Sequence, residues 1–97
     1  MRKIDEVLHY LGEPYRITKI DKEDVIYRSF GSYEFEVSGV SGRSNDFTLY
    51  VWKTSDVRTI IAIYSGIRGK ENLKDVLGYY AAIYQNLLSQ IRVEREE

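Results

Sequence analysis

The spacing of apolar residues changes twice along this chain, and that change limits the fold more than any motif in it. Near the start, Ile4, Val7, Leu8 and Leu11 recur at three- and four-residue steps, with Asp5, Glu6 and His9 on the opposite face. This is the period of an amphipathic helix, and Gly12 followed by Pro14 supplies its stop. Over residues 15–64 the period shortens to two, the repeat of a pleated strand. Beyond that, Leu73, Val76, Leu77, Tyr80, Ile83, Tyr84, Leu87 and Ile91 return to the helical period and form one broad stripe. Asn72 suits the N-cap of this second helix and Asp75 its first turn, where a negative charge meets the positive end of the helix dipole. The charged tail from Arg92 to Glu97 is expected to fray.

The middle stretch divides into five strands. Tyr15 to Ile20 is the first, closed by the charged turn Asp21-Lys22-Glu23-Asp24, and Val25 to Phe30 is the second. Gly31-Ser32 then offers a two-residue hairpin with glycine at the first central position, as a type II′ turn requires. In the third strand Tyr33, Phe35 and Val37 alternate with Glu34, Glu36 and Ser38. That register puts Ile26, Arg28 and Phe30 on the face of Tyr33, Phe35 and Val37, so Arg28 belongs near an edge or reaches outward. A Gly/Ser-rich loop covers Ser38 to Asp46, Phe47 to Lys53 is the fourth strand, and Val57 to Tyr64 is the fifth, after the turn Thr54-Ser55-Asp56. Short connections favour sequential antiparallel pairing. The expected fold is therefore α+β over one domain, residues 1–97: a five-stranded antiparallel meander sheet flanked by an N-terminal and a C-terminal amphipathic helix, both packed on one face.

Composition removes several classes of function. Fourteen basic residues against fifteen acidic ones give a formal net charge of −1, without the basic surplus that phosphate binding uses, so nucleic acid is not an expected partner. No cysteine is present, which excludes disulfides and thiolate metal sites. Asp5 and Glu6 fall where a signal peptide needs its apolar run, and no stretch is long and apolar enough for a bilayer. A cytoplasmic protein without a membrane partner is expected.

Catalytic parts are scarce. The single histidine, His9, lies on the polar face of a short helix, and no cysteine is available as a nucleophile, so no enzyme and no cofactor are expected. Asp5 lies four residues before His9, but one such pair supplies too few ligands for a metal. Asp21, Glu23 and Asp24 surround Lys22 and read as a solvated turn. Glu34 and Glu36 read as an exposed polar face.

Two surfaces remain. If the fourth and fifth strands pair around Ser55-Asp56, then Tyr50, Trp52, Ile61 and Ile63 share one face, with Leu49, Val51, Ile60 and Ala62 on the other. Two helices packed together cover only one side of a sheet, so the first set is expected either as a partner-binding surface, extended by Tyr79 on the flank of the last helix, or as core if one helix crosses to that side. The matching function is a small non-enzymatic protein-interaction module: a homo-oligomer, an adaptor, or an inhibitor of a larger partner. The alternative is a binder or sequestering protein for a small anionic ligand such as a nucleotide, of a kind a mobile element encodes. Its site is the expected strand–loop–helix segment 65–71, where Gly66, Arg68, Gly69 and Lys70 face the start of a helix, with Arg43 as a cation on the Gly/Ser loop. The segment lacks the spacing of a phosphate-binding loop, and Glu71 stands where the magnesium-holding hydroxyl belongs.

Overall fold

A computed structural model describes the backbone of residues 2–96 and the side chains of residues 2–89. The order of elements is α1 (Lys3–Leu11), β1 (Arg16–Ile20), β2 (Glu23–Phe30), β3 (Tyr33–Ser38), β4 (Asp46–Lys53), β5 (Thr59–Arg68) and α2 (Gly69–Glu96). The strands form one antiparallel sheet in sequence order, β1-β2-β3-β4-β5, which is the expected meander between two helices.

Alternation along the strands builds the core. Ile26 pairs with Val37 and Val37 with Leu49, while Phe35 pairs with Val51, so one face of the sheet is apolar across β2, β3 and β4 except at Arg28. Ile4, Val7 and Leu11 of α1 pack on that face, as do Leu73, Leu77, Ala81 and Tyr84 of α2. Phe35 is fully buried and meets Phe30 edge-on at 4.9 Å between centroids, and Tyr84 closes over Tyr33 at 4.9 Å. Burial of a side chain like Phe35 contributes about 2–3 kcal/mol, so this face carries most of the stability. Arg28 shares the face and stays half-buried, its guanidinium over the rings of Phe30 (4.9 Å) and Tyr15 (5.4 Å) rather than in solvent. The stripe position Ile91 lies outside the described side chains, and the backbone of α2 continues to Glu96, through the tail where sequence predicts fraying.

Three segments differ from the expectation in extent or in how they are held. The β1–β2 turn is two residues, Asp21-Lys22, rather than four, because both adopt positive φ (51° and 68°) and Ile20 pairs directly with Glu23. The Ser38–Asp46 loop is pinned: Val40 is fully buried in the core, Gly39 N–H donates to Glu23 Oε2 at 2.9 Å, and Lys3 Nζ reaches the carbonyl oxygens of Gly42 (3.1 Å) and Ser44. Most consequential, β5 begins at Thr59 and continues to Arg68, through the stretch expected as a loop, and α2 begins at Gly69 rather than after Asn72. Pairing of Phe47 with Ile67 and of Asp46 with Arg68 holds that extension, and buried Ile67 anchors it. The same pairing shifts register between Phe47 and Leu49, beside Gly66 at φ 72°.

Candidate functional site

With both helices on one face, the other carries Glu23, Val25 and Tyr27 of β2, Glu34 and Glu36 of β3, and Tyr50 and Trp52 of β4. Here the polar positions of the alternating pattern form an ordered network. Trp52 sits directly opposite Glu34, yet its indole N–H donates diagonally to Glu36 Oε1 at 3.0 Å. Glu34 instead accepts from Arg58 Nε at 2.8 Å through Oε1 and from the Tyr27 hydroxyl through Oε2. The Arg58 guanidinium also lies 3.6 Å from the Trp52 ring centroid, and Arg16 covers the Tyr27 ring at 4.8 Å.

These contacts leave a hollow of about 480 Å³. Trp52, Tyr50 and Ile60 form one wall, the β1–β2 turn brings Ile20, Asp21 and Glu23 to the opposite rim, and Glu36 lies in the floor. Glu36 is only 9 % exposed, so the expectation of a solvated Glu34/Glu36 face is corrected. Burial pushes the Glu34 carboxyl upward, but the hydrogen bonds from Tyr27 and Arg58 and the positive charges of Arg58 and Arg16 outweigh it and hold the group below its ordinary value. Tyr27 moves the other way: burial, then its bond to Glu34, raises its hydroxyl above the usual range.

The expected partner surface divides in two. Tyr50 and Trp52 are half-buried walls of the hollow, and Trp52 has both its N–H and one ring face in use. Ile61 (45 % exposed), Ile63 (56 %) and Tyr79 (64 %) are open. A register shift between Val51 and Trp52 pairs Trp52 with Ile60 and leaves Ile61 out of the ladder, so Ile60, expected on the far side, lines the hollow instead. A run of rings links β5 to the flank of α2: Tyr64 stacks on Tyr80 at 3.9 Å, and Tyr80 meets Tyr79 edge-on at 5.0 Å. Burial is the main reason the hydroxyls of Tyr64 and Tyr80 are raised above their usual range. Ile83 and Leu87, one and two turns beyond Tyr79, are also exposed.

The expected anion cradle changes character. Gly66 and Arg68 belong to β5, and Arg68 pairs with Asp46 at 3.2 Å. Gly69 adopts φ 80° and donates its N–H to Asn45 O at 3.1 Å, while Lys70 lies 5.2 Å over the Tyr10 ring. Arg43 sits exposed on its loop and lines none of the described hollows. A small recess of about 180 Å³ gathers Lys3, Asn45, Gly69 and Lys70, but Glu6 and Glu71 line it as well and offset the cations. Among the described residues no three metal-ligating side chains come together, and no helix is long and apolar enough to cross a membrane.

No protein-family model matches the chain, and no curated protein or solved structure matches it. The residues themselves therefore carry the functional argument. Arg58 was not singled out in the sequence, where Glu34 and Glu36 read as an exposed polar face and Ile60 fell on the side of β5 away from Tyr50 and Trp52.

Proposed function

We propose that this chain is a non-enzymatic protein-interaction module that associates with a second copy of itself along the outer edge of β5. The observation that carries the reading is the contrast between the two edges of the sheet. β1 is five residues long and bears Arg16 and Lys19, the charged and short form by which sheets avoid further pairing. β5 is ten residues long and has no charge from Thr59 through Ser65. Among the described residues no strand pairs with the backbone donors and acceptors on its outer side, and Ile61 and Ile63 stand exposed along it. Tyr79, Ile83 and Leu87 on α2 add apolar area that reaches β5 through the Tyr64–Tyr80–Tyr79 rings. A second β5, antiparallel about a two-fold axis, supplies both the missing hydrogen bonds and a matching apolar flank.

Size-exclusion chromatography with light scattering over a concentration series tests this. A dimer that dissociates on dilution is expected. A monomer at every concentration overturns self-association and transfers the same surface to a foreign protein, the adaptor or inhibitor form of the reading.

A further inference from the structure

The hollow on the helix-free face holds a carboxylate for which the described residues supply no ion pair. Glu36 is only 9 % exposed, and its one described hydrogen bond comes from the neutral indole of Trp52. It takes part in none of the described ion pairs, whereas neighbouring Glu34 is matched by Arg58. Glu36 Oε2 has no described donor and is not among the buried unpartnered side-chain atoms, so it opens on the hollow, where a cation can pair with it in place of water. The surroundings select what compensates. Asp21 and Glu23 at the rim repel anions, and the one cation in the wall, Arg58, is already set against Glu34. The Trp52 and Tyr50 rings offer the negative faces to which organic cations are attracted, and Ile60 offers apolar contact. The acidic side chains here do not converge as a metal site, so the pattern fits an extended cation rather than a bare ion.

We infer that the hollow binds a small organic cation, an alkylammonium or guanidinium head on a short apolar stem, with the head against Glu36 and the stem along Trp52, Tyr50 and Ile60. This does not depend on self-association, which uses the β5 edge and the flank of α2.

The test titrates the full chain with agmatine, with 1,5-diaminopentane and with glutarate as an anionic control. It is read by calorimetry and by the emission of Trp52, the single tryptophan. Saturable binding of a cation at millimolar concentration or below is expected, with no response to glutarate. Glu36→Gln keeps an oxygen for the Trp52 N–H while removing the charge, and is expected to weaken binding by about tenfold or more. His9→Ala, exposed on α1 and remote from the hollow, is expected to leave binding unchanged. Absence of saturable binding, equal binding by Glu36→Gln, or equal binding of glutarate overturns the inference. Should Glu36→Gln fail to fold, a salt series on the unaltered chain decides: affinity must fall as ionic strength rises, and affinity indifferent to salt overturns the inference.

Discussion

Trp52 and Glu36 are bound to one another across the β3–β4 pairing, the indole N–H on Glu36 Oε1 at 3.0 Å, although neither is the other's direct cross-strand partner. The bond supplies the buried carboxylate with its one described donor and fixes the indole as a wall of the hollow. Trp52→Phe keeps most of the ring and removes that donor. It is expected to destabilise the fold by about 1–3 kcal/mol, the cost of leaving a buried polar group unmet. Urea unfolding measures it, and a cost well below that range refutes the assigned role.

Glycines with the same backbone sign differ in what surrounds them. Gly39 (φ 85°) and Gly66 (φ 72°) both occupy conformations that side chains adopt at a cost of about 1–2 kcal/mol. A Cβ on Gly39 would also lie 2.8 Å from the Asp46 carbonyl oxygen, whereas one on Gly66 meets nothing within 4 Å. Gly39→Ala is therefore expected to lower the melting temperature more than Gly66→Ala. Equal losses would mean that conformation alone governs both sites.

The Asp21-Lys22 turn places two L-residues at positive φ, and lysine tolerates this less well than aspartate. Lys22→Gly relieves the second position. A gain of about 0.5–1 kcal/mol in unfolding free energy is expected, since relief of the strained φ exceeds the added chain entropy of glycine. A loss of stability would show that the Lys22 conformation carries no strain.

Ile63 lies 56 % exposed on the uncharged stretch of β5. Ile63→Lys places a charge on that edge, the device by which sheet edges resist pairing. It is expected to shift the chain to monomer in light scattering while leaving the melting temperature of the dilute protein nearly unchanged. Unaltered association would place the contact elsewhere.

Acid acts on the Glu34 cluster. Because the folded-state value of Glu34 lies below its ordinary one, its contribution is fully present above the ordinary carboxyl range and is lost as pH falls through the lower, folded value. Glu34→Gln is expected to flatten the acid limb of a melting-temperature profile and to leave the neutral region less affected in slope. An unchanged acid limb would show that the bonds from Tyr27 and Arg58 do not favour the ionised form.

The element order was legible because periodicity is a local property. Tyr33-Glu34-Phe35-Glu36-Val37 and the Leu73-to-Leu87 stripe each declare a period within a few turns or pleats, and Gly12, Pro14 and Gly31 mark the breaks between elements. The extra length of β5 was not legible. Ser65-Gly66-Ile67-Arg68-Gly69 has the composition of a loop, and only pairing of Ile67 with Phe47, distant in sequence, draws it into the sheet.

Sequence by itself determined the order of elements, two amphipathic helices flanking a five-stranded antiparallel meander, since periodicity and short connections admit few arrangements. That both helices share one face is a property of the tertiary structure. Tertiary structure alone decided what the uncovered face is. A register shift beside Trp52 brings Ile60 into the hollow, and the curl of the β1–β2 turn sets Asp21 and Glu23 across from it. Glu36 becomes buried rather than solvated through neighbours on other strands. Side-chain environment depends on which strands meet and in what register, and a single residue's shift in pairing reverses the face on which a side chain falls.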